Sequence, residues 1–336
     1  ERQFSGRRVL VDVNGQGHFL LADDDGRPAD DTVLSTLLAC ASLSFGPDLV
    51  ITHHSDAVRQ RRLSLVLAPF ENRVYSRARV IFSTSAAYIS GSEGLQRFHE
   101  KTIPLPLGID LDPYLNPSPQ VLRLAETIGR SHPGPLWLMV GRLVYYKGHA
   151  IALEALARVS GTLLVVGTGP LVSELRKTAA RLGVADRVRW LGHQNDEFVA
   201  AAYRAAMALW FPSVARSEGF GLAQVEAMAS GCPVINTSIP ASGVPWVSPN
   251  EVSGLTVPVG DAGALAEAAA RIAGHADLRG RLAHGARAPP RRAGAAARRA
   301  PPRGTGRGPR RRTGSRPCRR ATGRASRSRR IAPTSR

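Results

Sequence analysis

No stretch of the chain approaches the roughly 20 consecutive apolar residues that a membrane-spanning helix requires. No basic, then apolar, then small-residue signal opens it either, so a cytoplasmic location is expected. Cysteine is scarce: Cys40, Cys232 and Cys318 stand far apart and form no C-x-x-C pair. That spacing argues against a disulfide framework and against a thiolate zinc site, and no metal is expected. Lysine, aspartate and glutamate are missing altogether from residues 287–336, a stretch that holds 18 arginines. The tail therefore carries +18 of the net charge of +19, and the rest of the chain is nearly neutral. A basic partner surface, the usual implication of such a charge, is confined to that tail.

What is present is enough for two domains of ordinary size: 336 residues, 43% of them hydrophobic, can bury a core in each. The chain opens at Glu1 rather than at a methionine and is read as starting at a fragment edge. Its tail, from 287 onward, has almost no large apolar residue and cannot offset the entropy of ordering itself, so disorder is expected. Arginine without lysine, among Ala, Gly, Pro and Ser, is also what GC-rich coding sequence yields out of frame. A frameshift near residue 286 is the reading adopted; an arm for RNA or lipid is the alternative, and no specific nucleic-acid partner is expected.

Prolines 113, 117, 119, 133 and 135 surround one short helical segment, VLRLAETIG, and mark residues 113–134 as a linker. Beyond it, apolar strands at 136–140, 162–167, 188–192, 208–211 and 233–237 alternate with helices at 148–158, 170–182, 195–206, near 222–230 and 262–273. Such alternation calls for a parallel sheet covered on both faces, with a ligand at the carboxyl ends of its strands. Residues 135–286 are assigned to this domain. Residues 1–112 are less regular. RVLVDV (8–13), DLVITHH (48–54), RVIFST (79–84) and TIPLPLGID (102–110) read as strands or strand ends of a second, smaller and incomplete α/β domain. GQGH at 15–18 reads as a turn.

The segment with the most chemistry is SVARSEGFGLAQVEAMASGCPVINT, residues 213–237. A strand runs into a glycine-containing loop and then a helix, whose unpaired first N–H groups and dipole attract phosphate. Gly219 and Gly221 permit backbone close to a ligand. Glu218 and Glu226, eight residues apart, can reach different hydroxyls of one extended nucleotide-sugar.

Here the sequence resembles the GT-B family of retaining glycosyltransferases, the glycosyl transferases group 1, whose donor site carries a Glu, seven residues and a second Glu. The resemblance implies two Rossmann-like domains facing a cleft. It gives Glu218 the transferred sugar and Glu226 the ribose, with Phe220 and Leu222 in the same donor-binding run. In VGRLVYYKG (140–148), Arg142 and Lys147 fall where the family binds the donor diphosphate. Paired cations there would stabilise charge on the leaving group without a metal. VVGTGPL (165–171) is similar to the family's second glycine-rich turn, and VRWLGHQNDEF (188–198) to its base-recognition stretch, which brings in Leu191, Gly192 and His193. At the end of an N-terminal strand, VITHHSDAVRQ resembles bacterial mannosyltransferase-like members. His54 then faces the transferred sugar, with His53 as the alternative. SGVPWV (242–247) is similar to the same subgroup and has no assigned chemistry.

What the resemblance implies is a hexosyltransferase moving a hexose, mannose first, from GDP-mannose or a UDP-sugar to a glycan or lipid-linked glycan in cell-surface polysaccharide synthesis. A lipid-linked acceptor implies peripheral contact with the inner face of the plasma membrane. The family's opening glycine-rich loop and the helix that crosses back onto the N-terminal domain have no clear counterpart. The alternatives are therefore a remnant that only binds nucleotide-sugar, and a sugar-nucleotide epimerase of the same fold.

Overall fold

Strand-forming runs of Leu, Val, Ile and Trp at 136–140, 162–166, 208–211 and 234–237 are buried on both sides, and this decides the architecture of that region. The computed structural model describes residues 10–14, 18–21, 49–54 and 61–287. They belong to one compact unit containing two sheets. The Arg-rich tail, Ser55, Asp56 and most of GQGH lie outside the described residues.

The first sheet has the order β2-β1-β3-β4-β5, from β1 (Leu10–Asn14), β2 (His18–Leu21), β3 (Leu49–His53), β4 (Ala78–Ser83) and β5 (Thr102–Pro104). Neighbours pair in parallel except β1 and β2, which form an antiparallel pair with Asn14 opposite His18. The strand at His18–Leu21 was not anticipated: it is four residues long, too short for its alternation to show. Ile51, Ile81, Val74, Tyr75, Tyr88 and Leu95 form the core beside β3 and β4. Ser85 caps the short helix Ala86–Gly91, its Oγ accepting from the amide of Tyr88 at 3.0 Å.

The second sheet is wholly parallel: β11-β10-β9-β6-β7-β8, from β6 (Leu136–Val140), β7 (Thr162–Val166), β8 (Val188–Gly192), β9 (Ala208–Phe211), β10 (Val234–Thr237) and β11 (Gly254–Val257). Alternate residues feed two cores. Trp137, Met139, Leu163, Val165, Trp210 and Ile235 face the helices His149–Leu156 and Ala262–Gly274, with Trp137 and Trp210 stacked 5.2 Å apart. Leu136, Leu138, Leu164, Leu209, Phe211 and Val234 face the helices Pro119–Ser131, Asp196–Ala205 and Leu222–Ala229. Helix Pro119–Ser131, within the stretch read as a linker, buries Val121 and Ile128 in that second core. Its start is marked in sequence by Ser118 as cap and Pro119 in the first turn.

Candidate functional site

The carboxyl ends of the parallel strands deliver three loops to one place. From β6 runs Gly141–Gly148, from β9 runs Pro212–Gly221, and from β3 comes His54. The first two loops are stitched together. The amide of Val214 donates to the Tyr146 carbonyl at 2.8 Å, and the hydroxyls of Tyr145 and Ser217 stand 3.4 Å apart. At the centre, Lys147 Nζ lies 2.6 Å from Glu218 Oε2, with both side chains largely buried. Ser213 Oγ donates to the same carboxylate oxygen at 3.3 Å, and the ammonium sits 5.0 Å from the centre of the Phe211 ring. Arg142 is exposed, yet its charge, with those of Lys147 and Glu218, acts on the Tyr146 hydroxyl, whose pKa burial raises. Lys147, Glu218 and Ser213 thus form one cluster where the two loops meet.

Gly219 and Gly221 serve different purposes. Gly221 has φ of +82° and precedes the first residue of helix Leu222–Ala229, a backbone state that L side chains rarely adopt. At Gly219 the constraint is space: a Cβ would lie 2.6 Å from the His54 carbonyl. The loop that carries Glu218 therefore touches the strand end that carries His54. Thr84 Oγ1, after β4, donates to the Gly219 carbonyl at 3.3 Å. Phe220 is buried, while Leu222 is partly exposed in the first turn of the helix.

The two histidines are separated by their surroundings. His53 is buried, its Nδ1 2.8 Å from the Tyr75 hydroxyl and its ring edge-on to Tyr75. His54 follows the strand and is partly exposed. Gly192 ends β8 with φ of +65°, its carbonyl accepting from the Gly167 amide at 2.7 Å, and His193 is exposed beside it. The VVGTGPL turn lies under the Arg142 loop: Leu143 N–H donates to Thr168 O at 2.9 Å and Leu171 N–H to Leu143 O at 3.2 Å.

Glu226 lies one helix further in. Tyr203, fully buried on helix Asp196–Ala205, donates its hydroxyl to Glu226 Oε2 at 2.9 Å. Burial raises the Glu226 pKa; the Tyr203 hydrogen bond and the charge of Lys147 pull it back, while Asp196 adds to the rise. Tyr114 packs edge-on to Tyr203, and its hydroxyl is pushed up to about 12 by burial, Glu226 and Asp196. Among the described residues no group of three or more His, Cys, Asp or Glu has a metal-binding arrangement.

Sequence reading missed Tyr203, Ser213, Thr237 and Ser242. Thr237 Oγ1 donates to the Ser213 carbonyl at 2.5 Å, Ser242 Oγ to the Glu218 carbonyl at 2.6 Å, and Gly243 N–H to the Gly219 carbonyl at 3.0 Å. SGVPWV is thus the buttress behind the Glu218 loop. Its signal in the sequence was small residues after a strand end, which carry no chemistry until their partners are known.

Residues 134–275 match the family model described as glycosyl transferases group 1. The chain is 33% identical over 228 residues to the O-antigen chain mannosyltransferase C of Escherichia coli, covering 67% of this chain and 60% of that protein. It is 36% identical over 220 residues to the D-rhamnosyltransferase WbpZ of Pseudomonas aeruginosa, covering 65% and 56%. The chain therefore spans less than two thirds of the length of these relatives. Its fold is similar to that of Anabaena Alr3699/HepE, solved in complex with UDP, at a TM-score of 0.65 and 23% identity over 75% of this chain and 70% of that one. Taken with the two α/β sheets and the loops that meet between them, these matches identify residues 134–275 as a glycosyl transferases group 1 domain in a chain with the GT-B fold.

Proposed function

We propose that this chain is a retaining glycosyltransferase that moves a hexose, mannose first among the candidates, from a sugar nucleotide to a glycan or lipid-linked glycan. The observation that carries the reading is the Lys147–Glu218 pair at 2.6 Å, set between a helix start and the end of β3. The relatives named for mannose and rhamnose transfer support a deoxy- or simple hexose and an O-antigen type of acceptor.

In the proposed reaction the donor diphosphate lies against Arg142, Lys147 and the amides around Gly219 to Leu222. Glu218 accepts hydroxyls of the transferred sugar, and Glu226 holds the ribose through the carboxylate oxygen not engaged by Tyr203. Gly192 and His193 border the base, and His54 faces the sugar from the opposite sheet. The bond from the anomeric carbon to phosphate breaks as the acceptor oxygen bonds the same face of that carbon, and the departing phosphate oxygen takes the acceptor proton. Charge grows on the diphosphate during this step, so fixed cations and amides stabilise the transition state more than the bound donor. No nucleophilic side chain and no metal ion is required by this scheme.

The test is transfer from GDP-mannose, UDP-glucose and UDP-N-acetylglucosamine to mannose-terminated oligosaccharides, with the product anomer read by NMR. An α-linked product from an α-linked donor supports the reading. A β-linked product overturns retention, and donor epimerisation without transfer would favour a sugar-nucleotide epimerase.

A further inference from the structure

Two residues before Glu218, Arg216 leaves its own sheet. Its Nη1 donates to the Gly91 carbonyl at 2.6 Å and its Nη2 to the Tyr88 carbonyl at 3.2 Å, both at the carboxyl end of helix Ala86–Gly91. Its Nε donates to the Ala241 carbonyl at 3.0 Å, beside the Ser242–Gly243 buttress. The guanidinium carbon lies 4.7 Å from the centre of the Tyr88 ring, and that fully buried ring is 5.9 Å from His53.

A planar fork with donors on three nitrogens reaches acceptors in two separate segments at once, which a lysine ammonium on a flexible stem does not reproduce. Two of the three acceptors, the Tyr88 and Gly91 carbonyls, lie at the end of a helix, where a cation is favoured. The space is also closed: a Cβ on Gly91 would collide with the Ala241 side chain and come within 3.3 Å of the guanidinium. The two Nη hydrogen bonds join the Glu218 loop to the sheet that carries His53 and His54, and the Nε hydrogen bond joins it to the buttress.

We propose that Arg216 is a positioning residue, a latch that holds the Glu218 loop against the helix Ala86–Gly91 and so fixes Glu218 relative to the His54 strand end. The proposal deepens the glycosyltransferase reading and rests on it for its kinetic consequence, whereas the latch itself is read without substrate. Cutting the latch leaves Arg142 and Glu226 in place and loosens the loop of Glu218, the partner of Lys147. Donor affinity, still held by Arg142 and Glu226, then falls much less than turnover, because the two halves of the site no longer hold one geometry.

The experiment uses the full chain and three variants: Arg216→Gln, Arg216→Lys and Gly91→Val. The last opens the latch by crowding it and leaves Arg216 in place. Amide hydrogen exchange is expected to rise about tenfold or more over residues 86–92 and 216–221 in Arg216→Gln and Gly91→Val, with β6, β9 and β10 unchanged. Arg216→Lys is expected to fall between them and the wild type. In the same proteins the affinity for the sugar nucleotide bound by wild type is expected to change by less than about threefold, while donor turnover drops by about tenfold or more. Exchange over 86–92 that matches wild type in both Arg216→Gln and Gly91→Val would overturn the latch. Affinity lost in step with turnover would overturn the positioning role and make Arg216 a donor-binding group. If the wild type binds no sugar nucleotide, the glycosyltransferase reading fails, and the exchange data still decide the latch.

Discussion

A carboxylate buried beside an ammonium is held by a balance, because each charge has given up water for the other. Lys147 and Glu218 are in that state, and the balance makes them sensitive to single substitutions. Lys147→Met leaves Glu218 buried without its cation and is expected to cost about 3 kcal/mol in chemical denaturation. The double variant Lys147→Met with Glu218→Leu is expected to regain most of that stability and still bind no donor. Recovery of binding in the double variant would contradict the diphosphate role of Lys147. His149, two residues further on, is buried, and its Nδ1 has no hydrogen-bond partner among the described residues. Burial, then the charge of Lys147, lowers its pKa from 6.5 to about 4. The unfolded chain therefore binds a proton between those values that the folded chain does not, so stability is full above pH 6.5 and falls as pH drops towards 4. The loss approaches about 3 kcal/mol. Denaturation curves of wild type and His149→Leu from pH 7.5 to 4.5 are expected to converge or cross as pH falls; parallel curves would exclude the histidine as their source.

At the scale of elements, helix Asp196–Ala205 has two tasks. Its inner face packs Val199, Ala200 and Tyr203 on the second core, and the tip of Tyr203 reaches Glu226. Tyr203→Phe keeps the ring and deletes the hydrogen bond. The Glu226 pKa, already raised by burial, should rise further, so donor binding that needs the carboxylate should weaken at a higher pH than in wild type. Titrations from pH 5 to 8 test this, and superimposable profiles would remove Glu226 from the ribose. The same helix shows what the sequence made legible. It was expected at 195–206 and runs from Asp196 to Ala205, where Asn195 Oδ1 caps it by accepting from the Phe198 amide at 2.9 Å and Asp196 and Glu197 open it. All five strands expected in the second domain are present; four are runs of large apolar residues buried on both faces, and the edge strand β8 exposes Arg189. The sixth strand, GLTV at 254–257, escaped because it starts at a glycine and carries only two large apolar residues. The helix Ala276–Arg287 escaped because Gly280 and Gly285 interrupt its pattern, and what fixes it is Leu278 and Leu282 in the core.

For the whole molecule, the informative fact is that the loop most legible in the sequence, 213–221, is also where the two sheets meet. Gly219 touches His54, Thr84 donates to Gly219, and Arg216 reaches Gly91. The resemblance set Glu218 and His54 on the same sugar across a cleft; it did not reveal that Gly219 and His54 adjoin, because contacts 165 residues apart leave no trace in spacing or composition. Buried polar side chains hold the same region from behind. Asn236 Nδ2 donates to Gln224 Oε1 at 2.9 Å, Asn236 Oδ1 accepts from Thr256 at 2.8 Å, and Gln224 Nε2 donates to the Phe220 carbonyl at 3.1 Å. Such fully paired networks favour one loop geometry over others. The central claim is that this junction binds a sugar nucleotide through its diphosphate. Isothermal titration of the full chain with GDP-mannose, UDP-glucose and UDP-N-acetylglucosamine, beside Arg142→Ala, tests it most directly. Saturable binding of one donor, weakened about tenfold or more in Arg142→Ala, is the predicted result. No binding of any of the three by folded wild-type protein, or binding untouched by Arg142→Ala, would contradict it.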